Sequence, residues 1–320
     1  MESPIEKTWA HDSKRCTLLR QYRPIRLLGK GAHGVATLAE SLQQTTTIPP
    51  VVVIKQVFVE YEYASELSSS RSSDQSRAEI QILAILQHPN IVRFYECASY
   101  TCDYDCHGRI SPQMCWVFAM EAASGGCLGD FLSHQEQDLC EQTLHSMTGQ
   151  LLLAIQYIHD QNILHRDLKT QNVLIHYRPG AAHMPKHYTL KLADFGIARL
   201  FIGSKPSANT VIGTPNFLSP ELCEGDEYDG KSDIWALGCI LFELVTRKMM
   251  FDAPNLLALT KKITSGTASR PIPATAPAVL QSLIPKLTTV NKAARPSIQQ
   301  IMDLGIVQQS LMAAFFHDIY

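Results

Sequence analysis

The run His165-Arg166-Asp167-Leu168-Lys169-Thr170-Gln171-Asn172, followed by Asp194-Phe195-Gly196, places two carboxylates, an amide and an ammonium group at spacings that suit in-line phosphoryl transfer from a magnesium nucleotide. Such a transfer needs one carboxylate to orient the accepting hydroxyl and a second to hold the metal. Further groups complete the metal's ligation and spread negative charge. Asp167 suits the first task, Asp194 and Asn172 suit the metal, and Lys169 suits the charge. Each residue type is common alone; the ordered set carries the reading.

These groups must be held by a scaffold, and 320 residues with 45% hydrophobic and 18% charged content are enough for two packed lobes or domains. The formal net charge of −2 gives no reason to expect binding to nucleic acid or to a membrane through bulk electrostatics. Met1 to Arg20 mixes acidic, basic and histidine residues without an apolar core, so no secretory signal is expected, and the compartment expected is cytosol or nucleus. Ile234 to Val245 is the longest apolar stretch; interrupted by Glu243, it is too short to span a bilayer and reads as a buried helix. Nine cysteines scattered over a chain of this size predict reduced thiols rather than a disulfide framework.

Residues 22 to 60 combine alternating apolar runs, a glycine turn and the block Val51-Val52-Val53-Ile54, which predict a small antiparallel sheet. The Ser- and Glu-rich stretch from Tyr61 to Asp74 reads as a loop, and Ala78 to Leu83 opens an amphipathic helix. Two further strands are expected at 91 to 97 and 114 to 120, flanking a polar insertion. Gly125-Gly126 marks the passage into a mainly helical part, with helices over 144 to 160, 233 to 246 and 278 to 287 and a surface insertion from Arg178 to His187. No stretch reads as a repeat or a coiled coil.

The pattern H-R-D-L-x-x-x-N with D-F-G resembles the eukaryotic protein kinases, and the resemblance extends over roughly residues 22 to 304. It implies an α+β, bilobal protein-kinase fold: a small antiparallel β-sheet N-lobe plus one helix at about 22–121, and a larger, mainly helical C-lobe at about 124–304. An N-terminal extension of 1–21 and a short C-terminal tail of 305–320 flank it. Gly29-Lys30-Gly31-Ala32-His33-Gly34 resembles the glycine loop over the ATP phosphates. Alone the pattern is weak, since a hairpin turn or a dinucleotide site shares it, but a dinucleotide site needs a helix next, and here a strand follows. Lys55, closing Val52-Val53-Ile54-Lys55, matches the phosphate-binding lysine and Glu79 its helix partner, with Glu66 a weaker candidate. Met120-Glu121-Ala122-Ala123 resembles the gatekeeper and hinge, with the Glu121 and Ala123 backbone at the adenine edge, and the resemblance also assigns Leu174 to nucleotide binding.

Where the family usually has Val, this chain has Ala36, and where it usually has Ala, Val53. The exchange keeps the combined volume around the adenine, so retained ATP binding is expected. By the same resemblance Thr214 braces Asp167 and Lys169, while Leu83, Phe94, His165, Phe195 and Asp233 form an internal spine, and Glu221 with Arg295 forms a buried ion pair supported by the scaffold helix of Trp235 and Gly238. Lys169 and the segment Gly213-Thr214-Pro215 point to the serine/threonine type. ATP and Mg²⁺ are the cofactors implied, with Mn²⁺ able to substitute.

Arg166 suits a phosphate arriving from the activation segment, with Thr210 the first candidate and Ser204 and Ser207 the alternatives. An upstream kinase or trans-autophosphorylation would supply it. The octet, the run Gly213 to Cys223 and Phe251-Asp252-Ala253-Pro254-Asn255-Leu256 resemble the NIMA-related (Nek) family. That likeness implies protein substrates with Ser or Thr acceptors, an apolar residue upstream of the acceptor, cell-cycle, microtubule or ciliary roles, and association with the cytoskeleton as an alternative location. Cys97, Cys102, Cys106, His107 and Cys115 cluster in sequence, but without paired C-x-x-C knuckles a loop holding free thiols is favoured over structural zinc. Three functions compete: an active kinase, an ATP-binding pseudokinase scaffold and a small-molecule phosphotransferase. Intact Lys55, Glu79, Asp167, Asn172 and Asp194 favour the first.

Overall fold

The computed structural model describes residues 9, 11–31, 34–43, 47–60, 86–104, 110–177, 188–195 and 215–316. The helix expected at 78 to 83 and the insertions at 61 to 74 and 178 to 187 lie outside these residues. The chain divides into two compact units. One holds the described residues of Met1–Gln87 and Val92–Ala122; the other holds those of His88–Ile91, Ala123–Gly196 and Ser204–Tyr320.

The first unit is a five-stranded antiparallel sheet of β1 (Tyr22–Lys30), β2 (Gly34–Ser41), β3 (Val51–Glu60), β4 (Phe94–Tyr104) and β5 (Ile110–Glu121), in the order β1-β2-β3-β5-β4. Alternation along β3 gives the sheet two different faces, because successive strand residues point opposite ways. Val52, Ile54 and Gln56 are buried on one face, where Ile54 pairs with Ala119 and Gln56 with Val117. Val53 and Lys55 lie half-buried on the other. The buried face is covered by Trp9, Cys16, Leu18 and Leu19, which join its apolar cluster. The segment before β1, expected to be an extension, is therefore part of this unit's core.

β4 and β5 run further than the predicted 91–97 and 114–120, and the residues expected as a polar insertion are in large part strand. Tyr100 pairs with Cys115 and Cys102 with Gln113. The reason is a period of two: Tyr100 and Cys102 are buried while Ser99, Thr101 and Asp103 are exposed. Cys106 and His107 lie outside the described residues, among which no three His, Cys, Asp or Glu side chains are grouped to hold a metal. Burial pushes the Cys102 thiol up to about 12 and raises that of Cys115 as well, which disfavours the thiolate a metal would need.

The second unit contains α1 (Leu128–Ser133), α2 (Glu141–Asp160), the β6 (Val173–Tyr177) and β7 (Tyr188–Leu192) hairpin, α3 (Pro220–Glu224), α4 (Gly230–Thr246), α5 (Leu256–Thr264), α6 (Ala278–Leu287), α7 (Ile298–Met302) and α8 (Gln308–Phe316). Every α4 residue from Ser232 to Val245 is buried, as a helix apolar on all sides requires. None of the described helices is long and apolar enough to cross a membrane. The expected tail contains α8, which packs on α2 so closely that a Cβ on Gly149 would lie 2.0 Å from the Ser310 carbonyl oxygen.

Arg295, fully buried, grips both oxygens of Glu221, with Nη1 to Oε1 at 2.9 Å and Nη2 to Oε2 at 3.1 Å. Its guanidinium lies 5.0 Å from the Trp235 ring centroid, and Ser232 Oγ donates to Glu221 Oε1 at 2.8 Å. Burial alone would raise the Glu221 carboxyl, but the Arg295 hydrogen bonds and those of its other partners hold it down at about 2. A carboxyl depressed from 4.5 stabilises the fold fully above that value and loses its contribution as pH falls through about 2. Glu221→Gln should flatten the stability curve across that acid window. By stranding a buried cation it should also cost about 3–5 kcal/mol at neutral pH, both read from denaturant melts.

Candidate active site

In the helical unit the residues of the octet His165 to Asn172 are joined by direct bonds. Lys169 Nζ lies 2.7 Å from Asp167 Oδ2, and Asn172 Nδ2 donates to the same oxygen at 2.8 Å and to the Asp167 carbonyl at 2.8 Å. Both Asn172 bonds use the amide nitrogen, so the atom it offers a cation is Oδ1. Ala193 N–H donates to the Asn172 carbonyl at 2.8 Å and sets the neighbouring Asp194 beside the loop. Asp194 and Arg166 have φ of +56° and +67°, a left-handed conformation that non-glycine residues hold only when their surroundings impose it.

Asp233, on the first turn of α4, imposes it on the loop. Its carboxylate accepts from the main-chain N–H of His165 at 3.0 Å and of Arg166 at 3.3 Å. It is also bonded to His159 Nε2 at 2.8 Å and to the Tyr228 hydroxyl. His165, fully buried, stacks on Phe195 at 4.7 Å, and burial lowers its pKa, so it serves as packing rather than as an acid. At the far end of the loop Thr170 Oγ1 donates to Glu243 Oε2 at 3.0 Å. His159, Tyr228 and Glu243 had no signal in the sequence beyond their positions in or beside helices. Thr170 had been read only as a family marker.

Leu174, half-buried in β6, forms a bridge with Cys127, and Gly125 N–H donates to the Ile175 carbonyl at 2.7 Å. Gly125 is needed there, since a Cβ would fall 2.8 Å from that carbonyl oxygen. Ala123, half-buried, begins this segment.

In the sheet unit the strand register aligns Gly29, Ala36, Lys55 and Phe118 in one row. Leu38, Val53 and Met120 form the next. Ala36, Val53, Lys55 and Met120 thus share a face. Lys30, exposed, ends β1 opposite Val35. Glu121 N–H donates to the Arg93 carbonyl at 2.8 Å, so what its backbone can offer a base edge is its carbonyl. The glycines divide into two kinds. A Cβ on Gly29 would meet nothing within 4 Å and one on Gly31 only the Gly34 oxygen at 4.0 Å, whereas on Gly34 it would strike the Gln56 carbonyl oxygen at 2.4 Å. Gly34 is demanded by the sheet. Gly29 and Gly31 leave open space, which suits the close approach of a phosphate, while the Gly31 N–H itself is donated to the Gly34 carbonyl at 2.8 Å. Glu79 and Thr214 lie outside the described residues, as does Leu83.

A protein kinase domain model matches residues 22–305. The serine/threonine-protein kinase nekl-2 of Caenorhabditis elegans is 32% identical over 300 residues, which cover 91% of this chain and 76% of that protein. The chain belongs to the protein kinase family, on its Nek branch. The serine/threonine-protein kinases Nek8 of Danio rerio and Nek1 of Mus musculus are 36% and 33% identical across 92% of this Nek-type chain, which spans 38% and 22% of their lengths. The sheet unit and the helical unit are the two lobes of the bilobal kinase fold, and the family uses ATP with a divalent cation. Asp194 and Asn172 fit that cation, since a carboxylate and an amide oxygen are the hard donors it prefers.

The two kinds of glycine give different outcomes in this kinase. Gly34→Ala should lower stability by about 1–3 kcal/mol, whereas Gly29→Ala should leave stability within about 0.5 kcal/mol and weaken nucleotide binding. Thermal melts with and without ATP separate the two.

Proposed function

We propose that the chain is a protein serine/threonine kinase that transfers the ATP γ-phosphoryl group to Ser and Thr hydroxyls of protein substrates, using Mg²⁺ with Mn²⁺ as a possible substitute. The observation that carries this is the Asp167 carboxylate held by Lys169 Nζ at 2.7 Å and Asn172 Nδ2 at 2.8 Å. Its direction is set before any substrate arrives, which is what positioning catalysis requires. Asp167 orients the acceptor hydroxyl and receives its proton. Lys169 spreads the charge on the transferring group. Mg-ATP supplies the phosphoryl group and the charge neutralisation around it. Asn172 and Asp194 hold the cation, and Lys55, partnered by Glu79, holds the nucleotide phosphates. For the base we assign Ala36, Val53, Met120 and Glu121 of the sheet unit and Ala123 and Leu174 of the helical unit, and the family resemblance gives Thr214, outside the described residues, the role of bracing Asp167 and Lys169.

The names of the Nek8, Nek1 and nekl-2 relatives support the serine/threonine assignment, and from the Nek likeness we infer an apolar residue upstream of the acceptor. Thr210 is the activating phosphosite we favour, modified by an upstream kinase or in trans by a second copy. Cytosol, nucleus or cytoskeleton is the location in keeping with the free cysteines among the described residues.

Radiolabel transfer from ATP to a generic protein substrate tests the assignment. Asp167→Asn should lower kcat on the order of a hundred- to ten-thousandfold while ATP still binds. A wild-type chain that binds ATP but transfers nothing would overturn it. Phosphatase treatment should reduce the wild-type rate and leave that of Thr210→Ala unchanged; an insensitive wild type rules out activation through this segment.

A further inference from the structure

Residues 9 and 11–21 precede the stretch that matches the protein kinase domain, yet they form one wall of the sheet unit's core. Trp9, Cys16, Leu18 and Leu19 are buried against Ala39, Val52, Ile54, Val117 and Ala119, and Trp9 Nε1 donates to the Tyr22 carbonyl at 3.2 Å. Within this apolar layer sits a carboxylate, Asp12, only 1% exposed. It accepts from Gln56 Nε2 at 3.0 Å and from the Tyr104 hydroxyl, and Gln56 Nε2 also reaches the Tyr100 hydroxyl at 3.1 Å. His11 Nδ1 lies 3.2 Å from the Tyr104 hydroxyl and 3.6 Å from Asp12 Oδ1. Arg15 ties the same segment to β4, with Nη2 to Asp103 Oδ2 at 2.6 Å and Nη1 to the Thr101 carbonyl at 3.3 Å.

Covering an apolar sheet face needs only apolar side chains, and burying a carboxylate there is costly unless several donors meet it. Burial raises the Asp12 pKa, and the surrounding hydrogen bonds oppose that rise. What such a network adds is direction, since its bonds are made at one register of the segment on the strand. The strand residue it grips, Gln56, follows Lys55 directly and points to the opposite face. Tyr100 and Tyr104 come from the strand extension that had read as a polar insertion, so the two parts form one device.

We propose that Asp12 is a positioning residue for the nucleotide: by gripping Gln56 from behind the sheet it holds β3 where Lys55 meets the phosphates, with residues 9, 11–21 and the β4–β5 extension as a built-in brace. This rests on the kinase reading, in which Lys55 binds ATP.

Calorimetric titration of the full chain with Mg-ATP tests it, because loss of folded protein lowers the binding stoichiometry and leaves the Kd of the remainder unchanged, whereas a misplaced Lys55 raises Kd. Asp12→Asn turns one acceptor oxygen into an N–H₂ that faces either Gln56 Nε2 or the Tyr104 hydroxyl, which must then reverse its bond, and it removes the charge that strengthens both bonds, so it should raise Kd about three- to tenfold at unchanged stoichiometry. Combining it with Gln56→Glu reverses the direction of the Asp12–Gln56 bond and restores a donor to each acceptor, so D12N/Q56E should return Kd to within about twofold of wild type. If D12N does not fold, Tyr104→Phe, which removes one hydroxyl, is titrated in its place and should also raise Kd. A D12N chain with wild-type Kd, or a swap that fails to restore it, overturns the brace alone. A wild-type chain that binds no ATP overturns the kinase reading on which the brace depends.

Discussion

A buried carboxylate with no solvent around it takes its orientation from its donors, and in the helical unit that carboxylate is Asp233. Four groups converge on it: the main-chain N–H of His165 and of Arg166, the His159 ring and the Tyr228 hydroxyl. Burial alone would favour its neutral form, yet His159 and its other partners keep its pKa below the ordinary carboxylate value. Its place on the first turn of α4, where helix N–H groups are unpaired, also favours the charge. Two fixed amides define where the octet begins and hold Arg166 in its left-handed conformation. Glu243 receives Thr170 from the same helix, about 15 Å further along. The loop between them carries Asp167 and Lys169, and its geometry is referred to the most deeply buried element of the unit.

The sheet unit meets the same demand differently. A strand shows opposite faces to its surroundings at each residue, so a side chain on one face is positioned by what its neighbours do on the reverse side. Lys55 lies between Ile54 and Gln56, both turned into the covered face and both paired with β5. Gly34 completes the arrangement, because only a residue without Cβ lets β2 pass the Gln56 carbonyl. The face that carries Lys55 thus depends on a layer whose residues have no chemistry of their own.

The octet, Asp194, the glycine run and Lys55 stand out in the sequence because phosphoryl transfer needs given residue types at short spacings along the chain. The helices over α2, α4 and α6 were legible from their apolar period, and their ends shifted by only a few residues. The β4–β5 extension was misread as a loop because its exposed polar residues, Ser99, Thr101 and Asp103, outweighed the alternation that marks a strand. The segment before β1 was set aside as an extension, since Trp9, Cys16, Leu18 and Leu19 follow no regular period. The tail was undervalued too, and Gly149 on α2 was the one local sign that something packs there closely.

Residue types and their spacing in the sequence are enough to nominate side chains for a phosphoryl group, a cation and a hydroxyl, and to point to the family in which that set occurs. Local periods in the sequence also determined most of the helices and strands, since these depend on residues a few positions apart. What holds those side chains in place is visible only once the chain has folded. Asp233 and His165 are 68 positions apart, Thr170 and Glu243 are 73 apart, and Asp12 and Gln56 are 44 apart. A hydrogen bond between buried groups depends on distance in space, which no spacing along the chain encodes. Whether Asp12 is a surface acid or the centre of a buried network is therefore settled only when the sheet folds against it.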